Sequence, residues 1–371
     1  MRIKMLNKDF LAALNNVGKI ISSKPIEPIL SNILLKAEND KISLVSTNLE
    51  QGIKNTVEAK VELQEGEPKE TVLPFNLTRE IIAKLNPDKE TELSISEMKG
   101  IIKQDNSVYH LTCFDPDAFA LLPKIEEKVK IIVPKNTLKK LIENTVFAAS
   151  KKEESRKEFK GVLFNASNNT LEFAATDSTC LAISSLEAPD ITESSFIIPW
   201  RALDVLNKVE IKDKTINIVS DKNQISFNSS NINIISLLIN GTFPPYKSVI
   251  PKENEFVAEV NKKELLDALN RIEILVKNST QRINITFSKG RMEIEAVLPE
   301  IGEGKENIKF NGSVELSIIF NGERLISGVS HVPDETVVFK MNGPLHPVII
   351  KGKNDDSYLF VTMPLKKSKV T

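Results

Sequence analysis

The stretch ATDSTCLA, residues 175–182, gathers side chains whose types could perform acid–base or nucleophilic chemistry. Asp177 carries a carboxylate and Cys180 carries a thiol. Ser178 and Thr179 stand between them with their hydroxyl groups. A cysteine acts as a nucleophile when a histidine removes its proton and a third group orients that histidine. The stretch is therefore either part of a hydrolase site built on Cys180 or a segment with no catalytic role.

No other pattern in the sequence supports the catalytic reading. The three histidines are His110, His331 and His346, and all lie far from Cys180 along the chain. The sequence therefore does not indicate which histidine, if any, would remove the proton of Cys180. The sequence has no HExxH, P-loop, GxSxG or GxGxxG motif and no cluster with metal-ligand spacing. A lone cysteine is most often a small buried apolar residue. The residues favour a protein that is not an enzyme and uses no metal or cofactor, with a Cys180-dependent hydrolase as the alternative.

Length and composition predict a multidomain globular protein in a reducing compartment. The chain has 371 residues, of which 41% are hydrophobic and 27% are charged, with a net charge of −1. This length suits two or three domains. Cys113 and Cys180 form no CxxC pair, and no apolar run approaches the length of a membrane span. We expect a cytoplasmic protein with no membrane partner.

A strand followed by a short helix recurs three times, at residues 71–85, 196–209 and 316–329. Leucines in three other helical segments keep a constant spacing of 127 residues: Leu11, Leu138 and Leu265. A period near 125 residues indicates three copies of one domain. We predict an α+β fold in which each copy packs two helices on antiparallel sheets. The predicted domains are residues 1–125, 126–252 and 253–371.

Basic residues concentrate in the predicted helical segments. These segments carry 19 basic and 10 acidic side chains, whereas the rest of the chain carries 30 and 40. The segments are residues 7–24, 74–89, 134–152, 199–210, 261–282 and 319–330. The excess is either an ordinary solvated helix surface or a surface that faces a polyanion. Few aromatic residues accompany the cations and no helix-turn-helix spacing is present, which favours sequence-independent contact with duplex DNA.

Five segments in order resemble the bacterial DNA polymerase III beta subunit family, the sliding clamps. They are KPIEPILSNILL (24–35), STNLEQGI (46–53), FKGVLFNASNNTLEFAATDSTCLA (159–182), GTFPPYKSVIP (241–251) and YLFVTMPLKK (358–367). The resemblance implies three clamp-type domains per chain and a head-to-tail dimeric ring, with helices lining the hole. It also implies a non-enzymatic function, in which the ring encircles duplex DNA and tethers the replicative polymerase for processive synthesis.

The resemblance implies sites for DNA and for a second chain. The DNA-contacting residues would be Lys24, Lys151, Lys152, Arg156 and Arg201. Two family contact positions differ, because one is Trp200 and the other is only partly kept as Lys247 followed by Ser248. At the dimer interface, Ile81, Tyr109 and Leu111 would face Ile274 and Leu275 of the other chain.

The family also has a pocket for short linear motifs carried by the replicative polymerase, the clamp loader and repair proteins. Matching positions are Phe159, Thr176, Ser178, Thr179, Cys180, Leu181, Pro244, Val249, Asn321, Arg324, Leu345, Pro347, Val361, Met363, Pro364 and Leu365. Core packing is the alternative for Leu181, Val249 and Val361. Where the family usually has Gly-His-Arg, this chain has Ser178, Thr179 and Cys180, which predicts a less polar wall. A scaffold that binds proteins but not DNA is a further alternative.

Overall fold

A computed structural model describes residues 1–64, 67–121, 125–189, 191–279, 281–298 and 301–366. Part of the segment around the first predicted domain boundary (122–124) and the end of the third predicted domain (367–371) lie outside these residues. The helices are α1 (Asn7–Val17), α2 (Phe75–Lys84), α3 (Lys135–Val146), α4 (Trp200–Lys208), α5 (Lys262–Val276) and α6 (Gly322–Ser330). None of these helices is both long enough and apolar enough to span a membrane.

The strands follow the same order around each pair of helices, so the threefold repeat is present in the structure. The first repeat contains β1 (Arg2–Leu6), β2 (Ile33–Glu38), β3 (Lys41–Thr47), β4 (Gln51–Glu58), β5 (Lys60–Glu62), β6 (Glu70–Leu73), β7 (Glu90–Ser96), β8 (Lys99–Gln104) and β9 (Ser107–Thr112). The second contains β10 (Val129–Pro134), β11 (Gly161–Ser167), β12 (Thr170–Thr176), β13 (Cys180–Glu187), β14 (Ser194–Pro199), β15 (Thr215–Ser220), β16 (Gln224–Asn228) and β17 (Ile232–Leu237). The third contains β18 (Phe256–Asn261), β19 (Arg282–Ser288), β20 (Arg291–Leu298), β21 (Gly302–Lys309), β22 (Leu316–Asn321), β23 (Thr336–Met341), β24 (Val348–Gly352) and β25 (Tyr358–Thr362).

The helices begin where the sequence places a cap or ends a strand. In α5, the Asn261 side chain accepts a hydrogen bond from the Glu264 amide at 3.0 Å, which is the cap that the sequence predicts. Asn321 caps α6 in the same way, accepting from the Arg324 amide at 3.0 Å. The apolar face of α5 is buried as its spacing predicts: Leu265, Ala268, Leu269, Ile272 and Val276.

The chain forms two compact units, and the second repeat is divided between them. Unit 1 comprises residues 1–138 and 201–238, and unit 2 comprises residues 139–200 and 239–371. Unit 1 holds a five-stranded sheet, β5-β1-β7-β8-β9, and an eight-stranded sheet, β10-β15-β16-β17-β4-β3-β2-β6. Unit 2 holds an eight-stranded sheet, β14-β11-β12-β13-β25-β24-β23-β18, and a four-stranded sheet, β21-β20-β19-β22.

Each eight-stranded sheet joins four strands of one repeat to four strands of the next. The joint is an antiparallel ladder between the last strand of the later repeat and the fourth strand of the earlier one. In unit 1, β17 pairs with β4 and places Ile234 opposite Ile53. In unit 2, β25 pairs with β13 and places Phe360 opposite Ala182. Among the described residues, β9 and β21 each have a neighbouring strand on one side only.

The basic excess lies mainly beside the helices and not on them. Within their observed bounds the six helices carry 12 basic and 8 acidic side chains, a smaller excess than the longer predicted segments carry. The remaining cations follow the helix ends, as Lys19 and Lys24 follow α1 and Lys151 and Lys152 follow α3. The predicted split between basic helices and acidic strands is therefore weaker than the sequence indicated.

His331 joins two repeats within unit 2. Its ring stacks on Phe147, with the ring centroids 4.9 Å apart and the planes 5° apart. Its Nδ1 donates to the Ser327 carbonyl oxygen at 2.7 Å. Burial lowers the pKa of His331, and the Lys262 charge acts in the same direction, against the Ser327 hydrogen bond and the Glu143 charge. The folded chain therefore favours the neutral imidazole over the protonated one.

This lowered pKa predicts a loss of stability in acid. Protonation favours the unfolded chain, whose histidine has its ordinary pKa near ~6.5, so the His331 contribution is complete above that pH and declines below it. We expect the free energy of unfolding, measured with urea at pH 7.5 and 5.0, to fall less in His331→Phe than in the unmodified chain. The matched change at an exposed histidine outside the strands β9 and β21, His346→Phe, is the control. An equal fall in all three proteins would contradict the assignment.

Candidate functional site

A cavity of about 260 Å³ in unit 2 brings together most of the predicted pocket residues. The predicted residues that line it are Phe159, Thr176, Ser178, Thr179, Cys180, Leu181, Pro244, Val249, Pro347, Val361 and Met363. Pro245, Tyr246 and Ser248 also line it and were not predicted. Because they lie between Pro244 and Val249 in one short segment, their position in the sequence was the signal that could have identified them.

One wall is the turn between β12 and β13, which Asp177 organises. One carboxylate oxygen of Asp177 accepts hydrogen bonds from the Thr179 amide at 2.9 Å and the Cys180 amide at 3.0 Å. The same oxygen accepts from the Thr179 hydroxyl at 2.8 Å. Ser178 adopts the left-handed region, with φ at +76°. The side chains that suggested an active site therefore hold a tight turn together.

The second carboxylate oxygen of Asp177 forms an ion pair with Arg324, near the start of α6. Burial of Asp177 opposes its ionisation, but the Thr179 hydrogen bonds, the Arg324 charge and the Cys180 amide keep its pKa below the ordinary value. Asp177 is thus an anion bound within the protein and is poorly suited to act as a general base.

Cys180 lacks the environment of a nucleophile. Burial, followed by the charge of Asp177, raises the pKa of its thiol to about 12. Reactive cysteines instead have lowered pKa values, because the thiolate is the attacking species. Across the described residues, no cluster of His, Cys, Asp and Glu has the arrangement of a metal site.

The opposite wall is the segment that follows β17, and Glu172 of β12 holds it. The Tyr246 hydroxyl donates to the Glu172 carboxylate. The Lys247 ammonium lies 3.3 Å from the same carboxylate. Phe243 packs against Tyr246 edge-on, with ring centroids 5.8 Å apart. Glu172 is therefore a half-buried anchor for the segment that presents Pro244 and Val249 to the cavity.

The cavity floor is apolar and continuous with the core. Leu181 and Val361 lie opposite each other in the β13–β25 ladder, and each side chain is 3% exposed. Both belong to a buried cluster with Leu163 and Ile349. These two residues therefore belong to the core and also line the cavity. Val249 is 52% exposed, so core packing does not describe it.

Family models cover the chain in three parts. The N-terminal, central and C-terminal domains of the DNA polymerase III beta subunit match residues 1–123, 132–245 and 247–366. The chain belongs to the DNA polymerase III beta subunit family. The predicted fold, three clamp-type domains of mixed helix and antiparallel sheet, is confirmed. The predicted functional class, a sliding clamp that is not an enzyme, is that of this family.

Relatives that match this chain over nearly its full length support the same family assignment. The chain is 31% identical over 377 residues to the beta sliding clamp of Halalkalibacterium halodurans, covering 96% of this chain and 97% of the relative. It is 32% identical over 369 residues to that of Staphylococcus epidermidis, with the same coverage. The solved DNA polymerase sliding clamp from Bacillus subtilis is 27% identical with a TM-score of 0.90, covering 99% of this chain and 100% of that one.

Some residues predicted for the pocket do not line the cavity: Asn321, Arg324, Leu345, Pro364 and Leu365. For three of them the structure gives another role. Asn321 caps α6, Arg324 pairs with Asp177, and the Leu365 amide donates to the Ile319 carbonyl at 2.7 Å. The pocket assignment of these five residues therefore stays a prediction that the lining of this cavity does not support.

The basic residues predicted to contact DNA are all exposed. Lys24 and Arg201 lie in unit 1, and Lys151, Lys152 and Arg156 lie in unit 2. Lys247, which only partly keeps a family contact position, is bound to Glu172.

The residues predicted for a dimer interface differ in exposure. Ile274 is 78% exposed and Tyr109 is 39% exposed. Ile81 and Leu275 are half-buried. Leu111 is only 4% exposed, because its side chain already packs inside unit 1. Its contact with a second chain stays a prediction, and the buried side chain leaves little surface for it.

The Cys180 environment predicts a thiol that resists alkylation in the folded protein. At pH 8, a thiol with a pKa near 12 is thiolate in about one molecule in ten thousand, far less than an ordinary cysteine. We expect iodoacetamide to label Cys180 at least about tenfold more slowly in native protein than in urea, measured by peptide mass spectrometry. Native labelling as fast as in urea would contradict the environment described for the thiol.

Proposed function

We propose that two copies of this chain close head-to-tail into a ring that encircles duplex DNA in the cytoplasm. The ring slides without reading sequence and holds partner proteins at the unit 2 cavity. In this proposal the domains are residues 1–125, 126–252 and 253–371, and the DNA contacts come from Lys24, Arg201 and the basic residues that follow α3.

The observation that carries the proposal is the strand order of the two smaller sheets. In both eight-stranded sheets, the last strand of one repeat pairs with the fourth strand of another. The two strands left unpaired in this way are β9, the last strand of repeat 1, and β21, the fourth strand of repeat 3. Joining β9 of one copy to β21 of another would give the order β5-β1-β7-β8-β9-β21-β20-β19-β22. Apart from the additional edge strand β5, this order repeats that of the eight-stranded sheets. Two copies would make two such joints and leave neither strand as an open edge.

Side chains beside these two strands suit such a joint. Alternation along β9 puts Tyr109 on the same face as the buried Leu111, so its exposed ring extends the core face of the sheet. Ile274 on α5 is a strongly exposed apolar side chain that a partner surface would cover. Leu275 on the same helix packs near Gly304 of β21. A second copy that adds its β9 beside β21 would bring an apolar surface to Ile274.

A closed ring explains why weak contacts with DNA suffice. Lysine and arginine attract phosphates without regard to sequence, and the attraction weakens as salt rises. Tight contacts would oppose sliding, whereas topological closure retains the DNA without them. The scattered cations beside the helices are consistent with weak, sequence-independent contact with DNA.

The cavity suits short apolar segments of several partners: the replicative polymerase, the clamp loader and repair proteins. Its walls hold three prolines, a methionine and aliphatic side chains. Methionine adapts to ligands of different shape, which suits a site with several occupants. A related DnaN sliding clamp from Bartonella birtlesii, 26% identical with a TM-score of 0.92 and covering 99% of this chain and 100% of that one, was solved bound to griselimycin.

Placing a charge at the proposed joint should separate the two copies. We expect Ile274→Asp to weaken the dimer at least about tenfold, because the carboxylate would be buried against apolar side chains. Sedimentation velocity across micromolar concentrations measures the change. Val257→Asp, a similar change at an exposed apolar residue of β18, should leave the mass of a dimer unchanged.

Topological retention on DNA provides the functional test of the ring. After loading with a clamp loader and ATP, we expect the unmodified chain to stay on nicked circular DNA through gel filtration and to leave once the circle is linearised. Ile274→Asp should be lost from both. Equal retention of the unmodified chain on circular and linear DNA would overturn the sliding model, and a protein that binds partners but never DNA would favour the scaffold alternative.

The altered turn should change which ligands the cavity holds. We expect Thr179→His with Cys180→Arg to change the affinity for a fluorescent apolar pentapeptide by at least about threefold, because the wall gains a ring and a charge. Fluorescence anisotropy measures the dissociation constant. Thr192→His, on an exposed segment, is the control, and identical affinities in all three proteins would remove this turn from the binding site.

A further inference from the structure

The chain has one tryptophan, Trp200, and it lies against a lysine from a different segment. Trp200 is the first residue of α4, and its side chain is half-buried. The Lys151 ammonium is 5.5 Å from the centre of its ring system. This distance lies within the range of a cation–π contact, for which tryptophan is the best partner.

The segment that carries Lys151 is held in place on both sides. The Ser150 amide donates to the Phe159 carbonyl at 2.8 Å, and the Ser150 and Ser155 hydroxyls are 2.6 Å apart. The Lys152 amide donates to the Ser150 hydroxyl at 3.3 Å. The Lys151 backbone is therefore anchored at its neighbours, and the ring of Trp200 restricts its side chain.

The surroundings of this pair are basic. Residues 150–160 contain five cations and three carboxylates. Lys151 is exposed, so one side of its ammonium meets the indole while the other remains open to solvent. An ammonium has three donor hydrogens, and a π face leaves those on the opposite side available to an anion.

We propose that Trp200 is a positioning residue for DNA contact, which holds the Lys151 ammonium ready for a backbone phosphate. The inference rests on the proposed function, because the anion is a phosphate of duplex DNA. A free lysine side chain loses rotamer freedom when it binds, and a lysine already held on a ring loses less. The ring itself carries no charge, so it raises affinity without releasing a counterion.

Lys151 supplies the charge and Trp200 positions it, so replacing each residue should change DNA binding in a different way. The logarithm of the binding constant for a labelled 30-base-pair duplex, measured by anisotropy, falls linearly with the logarithm of salt concentration, by about 0.9 for each phosphate contacted. We expect Lys151→Ala to make this slope shallower by about that amount. Trp200→Ala should keep the slope and weaken binding at every salt concentration by about two- to fivefold, the range of an exposed cation–π contact.

Two further variants control the comparison. Trp200→Phe keeps a ring with a weaker π face, so it should fall between the unmodified chain and Trp200→Ala. Lys353→Ala removes an equal charge from a lysine paired with Glu259, beyond β24, and should change neither slope nor affinity. If Trp200→Ala fails to fold, Trp200→Phe and Lys151→Ala decide the question.

Because Trp200 is the only tryptophan, its fluorescence reports on the pair directly. Saturating duplex should change its emission in the unmodified chain, and Lys151→Ala should remove most of that change. An unaltered slope in Lys151→Ala, or an unaltered affinity in both Trp200 variants, would overturn the proposal. If the unmodified chain binds no duplex in this assay, the role of Trp200 fails, and retention on nicked circular DNA decides the proposed function separately. If the chain binds but its emission is constant, only the role of Trp200 fails.

Discussion

Backbone hydrogen bonds between consecutive repeats are the interaction on which the rest of the structure depends. In unit 2, the β13–β25 ladder sets Cys180 opposite Thr362 and Leu181 opposite Val361. These pairs bring cavity-lining residues of two repeats to one place, although they are about 180 residues apart in the sequence. Because side chains alternate along a strand, a slip of one residue would turn the cavity floor to the other face of the sheet.

The stretch that first suggested an active site is a structural turn that occurs twice. In the first repeat, the Asn48 side chain accepts from the Gln51 amide at 2.8 Å, as Asp177 accepts from the Cys180 amide at 3.0 Å. The Thr47 and Thr176 hydroxyls each donate to the carbonyl four residues later, at 2.9 and 2.6 Å. Leu49 has a φ of +71°, close to the +76° of Ser178. What distinguishes the second copy is the cavity beside it.

The sequence predicted repeating and local features well, and contacts between distant segments poorly. The spacing of apolar residues and the Asn261 cap located α5 correctly, but the predicted segment 7–24 extended well beyond the end of α1 at Val17. Gly18 follows the last residue of α1, but the chain continues there into a tighter helical turn over Gly18–Ile20, so the helical pattern does not stop at Val17. The roles of Tyr246 and Arg324 depend on Glu172 and Asp177, which are 74 and 147 residues away. A one-dimensional pattern contains no information about such partners.

A sliding clamp needs strong closure and weak contact with what it encloses, and the chain assigns these demands to different interactions. Ladders of backbone hydrogen bonds between strands can be strong without depending on salt, because burial protects them. Exposed lysines give attraction that salt screens and that no base sequence modulates. Fixing one of these lysines on an uncharged ring increases its effect without adding charge. A chain with a net charge of −1 can in this way keep a usable affinity for DNA and still release each phosphate as it moves.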